Sequence, residues 1–398
     1  MASTDANAGT GADDAAATGA DVAEGTAAAP EPAPSGWRNP RVRRTLQLAV
    51  SILLVGGIIW FVFKQFADLS SVWAAMRSLT WREILVLVVV ALWNLVTYWI
   101  VVVLSTPGLT YPQAAVLTQT TTAVSNALPA GGAIGVGLTF QILGSWGFSK
   151  SRATLSVLVS GIWNNFVKLG TPIVALALLA VQQGTGGGSL VAASLGMIGL
   201  VGAITIFALI LRSEDFARRA GLVGQRFMSR LRRVVHKDPV DGWDQAVVKF
   251  RSRVIGLVRA RWIMLTLATV IGHLSLYLVL LASLRVMGVS EQEASAAEVL
   301  AAFAFARLLT AIPLTPGGVG IIELALITAI TRAGGAKPAV VAAVLIFRLL
   351  TYVLPIVIGA LTYVYWRRKR SWFDSAPPMP AALAPATPHA QVVPSRAT

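Results

Sequence analysis

Apolar runs long enough to cross a bilayer recur along this chain, near residues 45–63, 82–104, 153–181, 189–211, 262–284 and 339–365. A helix needs about 20 residues to span roughly 30 Å of hydrocarbon, and in that medium it must satisfy its own backbone polar groups. Strands of membrane barrels are about half that length. The runs therefore predict an all-α polytopic integral membrane protein with about six full transmembrane helices. A content of 55% apolar and 13% charged residues also lies outside the range of soluble domains.

Two further apolar stretches, 113–148 and 297–333, do not fit this scheme, because "LPAGGAIG" (128–135) and "PLTPGGVG" (313–320) interrupt them at the centre. Each arm is about 13 to 16 residues, or roughly 20 to 24 Å of helix. One arm is too short to cross comfortably, and a pair is too long for a single crossing. The distribution of Lys and Arg favours there-and-back hairpins. With Arg38, Arg41, Arg43 and Arg44 in the cytoplasm, the turn at Lys150 and Arg152 falls inside and neutral "QQGTGGGS" outside. Residues 212–261 then fall inside, acidic "SEQEASAAE" outside, and "RRKR" (367–370) inside. A single crossing at the first break would instead put residues 212–261, with 13 Lys and Arg against five acids, on the outside.

This topology contains a repeat. Residues 82–181 and 262–365 each run crossing, broken hairpin, crossing, but enter the membrane from opposite sides. "PAGG" corresponds to "TPGG", and "TPIVALAL" (171–178) to "LPIVIGAL" (354–361). Two broken re-entrant hairpins arranged as inverted repeats are expected, an architecture in which mirror-related halves open to opposite sides in turn. The alternative is that Gly and Pro merely kink packed helices.

Freed backbone at a break needs polar partners, so a wet cavity is expected there. Thr315 and Pro316 resemble a capped helix start, and Gly317 and Gly318 let a ligand approach bare backbone; such a start favours an anion. Ionisable residues within spans are costly and usually mark a partner or a polar path. Here they are Lys168, Arg307, Glu323, Arg348 and His273. Asn164, Asn165, Lys168 and Thr171 lie close to one helical face, and Arg348, Thr351 and Tyr352 do so in the corresponding crossing. Gln119, Thr122, Ser125 and Asn126 form a polar stripe leading to the first break. The candidate substrate-binding residues are Lys168, Arg307, Thr315, Gly317, Gly318, Glu323, Arg348, Asn126 and Asn165. Glu323 either balances charge within the bundle or contacts the substrate. His273, alone on its helix, reads as a packing residue. Trp81, Trp146, Trp262 and Trp366, near span ends, read as interface anchors.

Residues 1–40 form an acidic, Ala- and Pro-rich arm expected to be disordered, with six acids and no Lys or Arg before residue 37. The arm lacks the basic start and apolar core of a secretory signal, which predicts a cytoplasmic N-terminus. The transmembrane domain spans 41–368, with 212–261 as a basic amphipathic cytoplasmic insert, and 369–398 is a second disordered tail. From residue 37 on, 33 Lys and Arg face 12 acids. On a membrane protein this excess reports topology and anionic lipid rather than nucleic acid. With no Cys and three scattered His, thiolate chemistry is excluded, and no metal or other cofactor is expected.

The motif "PLTPGGVGIIE", with Pro313, Pro316, Gly317, Gly318, Gly320 and Glu323, precedes a last span containing Arg348. It resembles the flippase-like transmembrane region of bacterial lysylphosphatidylglycerol synthases and the stand-alone membrane proteins that share it, over roughly residues 45–366. The resemblance implies translocation or handling of lipids in a bacterial-type inner membrane. No aminoacyl-transferase domain follows the last span, so a stand-alone member is expected and lysyl-lipid synthesis is not implied. The first break, "LPAGGAIGVGL", also lacks the charged residues many members carry there.

The resulting expectation is a flippase or transporter for a lipid or lipid-linked substrate with a charged head group, its partners being membrane lipids with an anionic or zwitterionic head group and its oligomeric state unspecified. No catalytic constellation is found. An enzyme or accessory assembly factor acting on lipid-linked cell-envelope substrates is the alternative.

Overall fold

The computed structural model describes residues 74, 77–128, 130–183, 187–234, 242–310 and 315–375. The expected crossing at 45–63, the acidic arm, Pro129, Pro313 and the tail after residue 375 lie outside these.

The described regular structure is helical: α1 (Trp81–Ser105), α2 (Tyr111–Ala127), α3 (Gly131–Ser145), α4 (Lys150–Gln183), α5 (Gly187–Arg212), α6 (Glu214–Val234), α7 (Trp243–Val286), α8 (Ala296–Leu309), α9 (Ile321–Ala333), α10 (Lys337–Arg348) and α11 (Leu354–Arg368). Five stretches among the described residues are long and apolar enough to cross a membrane: Trp81–Ser105, Lys150–Gln182, Ser194–Arg212, Val254–Val286 and Lys337–Arg368. These match five of the expected crossings. The last of them joins α10 to α11 through a π-helical turn, Leu349–Val353. Pro355 follows that turn and cannot donate a backbone hydrogen bond.

Both interrupted stretches are pairs of short helices, α2 with α3 and α8 with α9, packed against each other. Side chains define where the pairs begin. Gln113 accepts from the N–H and hydroxyl of Thr110 at the start of α2, and Glu298 accepts from those of Ser295 at the start of α8. In the first pair, a Cβ on Gly131 would lie 2.4 Å from the Ser125 carbonyl oxygen and one on Gly135 2.3 Å from Ser125 Oγ. This four-residue spacing of small residues lets α3 lie directly on α2.

Packing between distant elements is reciprocal. α2 packs on α11 and α8 on α4, while α1 lies along α7. In the last pair Asn94 Nδ2 donates to Ser275 Oγ at 2.7 Å, and Thr97 Oγ1 lies 3.1 Å from the same oxygen. Such buried polar contacts hold helices together where lipid supplies little hydrophobic driving force. At the α2–α11 contact, a Cβ on Gly359 would fall 2.3 Å from the Gln119 carbonyl oxygen.

The largest apolar cluster is built from the C-terminal half of α7 with α8, α9 and α10. At the other end of α7, Leu257 and Leu265 join Leu155, Val159 and Trp163 of α4 in a smaller cluster. Arg261 Nη1 there reaches the Leu104 carbonyl at the end of α1. Within the described part of the basic stretch 212–261, α6 folds along the first turns of α7, where a Cβ on Gly221 would lie 2.6 Å from Asp244 Cα. Val223 and Phe227 of α6 remain exposed among its arginines.

The tryptophans divide. Trp81 and Trp262 are exposed, as expected of interface anchors, whereas Trp146 and Trp366 are buried. Trp366 Nε1 donates to Ser145 Oγ, and Trp372 packs edge-on to Trp146 at 5.6 Å. The segment after α11 folds back over this end of α3, so these two rings are core residues.

Candidate functional site

A cavity of about 520 Å³ lies between the two helix pairs. The first break contributes Asn126, Leu128, Ala130, Gly131 and Gly132, and the second contributes Thr315, Gly317 and Gly318. Arg307 of α8 and Arg348 at the end of α10 also line it. On one side Leu276, Phe303, Ile322, Leu326 and Phe347 close the wall, all of them part of the large apolar cluster.

The second break is set by backbone conformation. Gly317, Gly318 and Gly320 have φ of +58°, +69° and +85°, a region costly for residues with a Cβ. A Cβ on Gly317 would also meet Tyr352 Cε2 at 2.2 Å. Thr315 does not cap the following helix, contrary to the sequence expectation. Its hydroxyl donates to the Val319 carbonyl, a short 3-10 turn follows, and α9 starts only at Ile321. The cap comes from Glu323, which accepts from the Gly320 N–H at 2.6 Å. This places a carboxylate at the helix N-terminus, where the backbone dipole favours it.

Glu323 is buried and also accepts from Arg348 Nε at 2.5 Å. Arg348 Nη2 donates to the Gly317 carbonyl, and its guanidinium stacks over the Tyr352 ring, 4.4 Å from the centroid. The Tyr352 hydroxyl donates to the Asn126 carbonyl at 2.9 Å. One turn of helix thus links the two breaks: Arg348 grips the second and Tyr352 grips the first.

Arg307 is different. Among the described residues no carboxylate pairs with it, and its Nε is buried with no hydrogen-bond partner there. Lys168 lies just behind the cavity wall, its Nζ donating to Thr310 Oγ1 at 2.6 Å. Gln119 Oε1 and Thr118 Oγ1, both buried, also lack partners among the described residues, and both residues line the cavity. Buried polar atoms in native interiors are normally paired, so these three are the groups that a water or a polar ligand in the void would engage.

Of the nine residues singled out in the sequence, six line the cavity: Asn126, Arg307, Thr315, Gly317, Gly318 and Arg348. Glu323 and Lys168 stand one layer behind, each bonded to a lining residue. Asn165 is exposed, and its Nδ2 donates to Gly161 of its own helix. Its neighbour Asn164 faces inward, 2.9 Å from His273 Nε2. Sequence spacing did not single out Asn94, Tyr98 and Thr118 of the lining.

Apolar crossings around a cationic, polar cavity define a multi-pass helical membrane protein with a polar cavity inside the bundle. The family described as "Lysylphosphatidylglycerol synthase TM region" matches residues 48–359, and the chain belongs to that family. No curated protein matches the chain.

Proposed function

We propose that this protein moves a lipid, or a lipid-linked substrate with a negatively charged head group, between membrane leaflets. The carrying observation is the charge balance of the cavity. Glu323 is committed to Arg348 and the Gly320 N–H, which leaves Arg307 and Lys168 without a counter-ion among the described residues. Uncompensated charge inside a membrane bundle is costly, and a phosphate beside Arg307 would relieve it. Because Glu323 occupies the start of α9, the phosphate belongs beside Arg307 rather than at that helix end.

The reciprocal packing of α2 on α11 and α8 on α4 supports reading 82–181 and 262–365 as inverted repeats with two re-entrant hairpins. In this reading the protein sits in a bacterial-type inner membrane with both termini in the cytoplasm. The arginine-rich α6 lies against the anionic inner leaflet with Val223 and Phe227 in the acyl boundary. The halves alternate access, and the head group crosses while the acyl chains stay in lipid.

The test is reconstitution of the full chain into vesicles and measurement of leaflet exchange of labelled anionic and zwitterionic lipids. Wild type should move an anionic lipid, and Arg307→Gln should slow that movement at least tenfold, the loss expected for a charge-assisted contact worth about 1.5–3 kcal/mol. Exchange no faster than in protein-free vesicles for every lipid class would refute the reading.

A further inference from the structure

Among the described residues, two that are not glycine have positive φ, Ala130 at +55° and Asp374 at +54°. Left-handed backbone is costly for a residue with a Cβ, and such residues concentrate at switch regions. These two stand at opposite ends of one element. Ala130 immediately precedes α3, and the N–H of Asp374 donates to the carbonyl of Ser145, the last residue of α3. The body of that helix is weakly held. Five of its 15 residues are glycine, four are buried, and it packs mainly on α2 and α4. Glycine lowers helix stability, and few buried contacts mark a segment that opens locally.

The far end of α3 is held by the strap that follows α11. Trp372 packs edge-on against both Trp146 and Tyr365, at 5.6 Å in each case, and Gln113 at the start of α2 donates to Ser375 Oγ. This closure strands a polar group. Trp146 is fully buried, and its indole N–H has no partner among the described residues, so opening to water would satisfy it. Behind the strap, Leu117, Ile142, Leu143, Trp146 and Phe148 form an apolar cluster. Leu117 also lines a second void of about 480 Å³, to which α3 contributes Gly135, Val136 and Thr139. That void adjoins the central cavity, with Tyr98, Thr118, Thr122 and Ser125 lining both.

We infer that α3 is a hinged flap, turning about Ala130 and latched at its other end by the strap Trp372–Ser375, and that release of the latch opens the second void past Trp146. The left-handed residues at hinge and latch and the stranded indole N–H raise the closed form toward the open one, which makes the element bistable. With both termini in the cytoplasm, this end of the bundle faces inward, and the flap controls entry to the cavity from that side. Nothing in this depends on what the cavity binds.

The test is amide hydrogen exchange of the full chain in detergent, read for α3 against α8 and α10, which belong to the large apolar cluster. Trp372→Ala should speed exchange of the α3 amides and of Asp374 at least tenfold, the effect of losing two aromatic contacts, and leave α8 and α10 unchanged. Ser145→Cys with Asp374→Cys joins two positions whose backbones are already hydrogen-bonded, close enough for a disulfide. The oxidised form should exchange its α3 amides at least tenfold more slowly than the same chain reduced. Thr139→Cys, in the second void, should react with a charged water-soluble thiol reagent at least tenfold faster when Trp372→Ala is also present. Unchanged α3 exchange in the Trp372 variant, or equal reactivity of the introduced thiol, overturns the flap. Should Trp372→Ala speed every helix alike, it has loosened the fold and the disulfide decides alone: no selective slowing of α3 overturns the inference. None of these readouts uses a lipid, so a chain whose α3 behaves as expected but which moves no lipid defeats only the proposed translocation.

Discussion

Arg348 and Arg307, two arginines lining one cavity, have opposite circumstances, and the difference sets what each substitution should do. Arg348 is held by Glu323, the Gly317 carbonyl and the Tyr352 ring. Its side chain and that of Glu323 keep 12% and 9% of their exposure. Breaking so enclosed a pair from one side leaves a charge without a partner, at about 3–5 kcal/mol in buried pairs generally. Glu323→Gln and Arg348→Gln should each lower the unfolding temperature in detergent. A double-mutant cycle should return a coupling of about 1–3 kcal/mol. Additive effects within a few tenths of a kcal/mol would mean the pair does not act as a unit. Arg307→Gln, with no carboxylate partner to abandon among the described residues, should leave the unfolding temperature unchanged or raise it while weakening anion binding.

At the scale of elements, the two breaks look alike in sequence and are built differently. In the first, Gly131 and Gly135 let α3 touch α2, whereas a Cβ on Gly132 would meet nothing within 4 Å. In the second, positive φ at Gly317 and the ring of Tyr352 both exclude a side chain. Gly317→Ala should therefore cost at least the roughly 1 kcal/mol of a left-handed residue plus the displacement of Tyr352, and should loosen the link to Asn126. Gly132→Ala should unfold within about a degree of wild type; if Gly317→Ala does the same in thermal melts, the break is not held as described. The interruptions were legible because Gly and Pro punctuate an apolar run unmistakably. The starts of α2 and α8 are carried by a local pattern as well, Thr110 with Gln113 and Ser295 with Glu298 three residues on. The true start of α9 was not. Thr315 and Pro316 imitate a cap, and only three-dimensional contact reveals that Glu323 does the capping. Nor does helical spacing distinguish Asn164 from Asn165, adjacent residues of which one meets His273. A tryptophan near a span end reads alike whether it meets lipid head groups or, like Trp146, a returning segment.

For the whole molecule, the decisive feature is the exchange of packing between the halves. α2 is held by α11 through Gly359 and through Thr120 Oγ1, which lies 3.0 Å from Thr362 Oγ1, while α8 is held by α4. If access alternates, these pairs should travel as units and the distance across the cavity should change instead. The chain contains no cysteine, so introduced pairs report without background. A disulfide between Thr120→Cys and Thr362→Cys joins helices already in contact and should leave lipid exchange within about twofold of the reduced form, a change of about 0.4 kcal/mol. A short bifunctional thiol reagent bridging Ser125→Cys and Thr310→Cys, on opposite walls of the cavity, should abolish exchange. Loss of exchange on forming the first link would require motion between α2 and α11, and persistence through the second would mean that lipid crosses without the cavity changing shape.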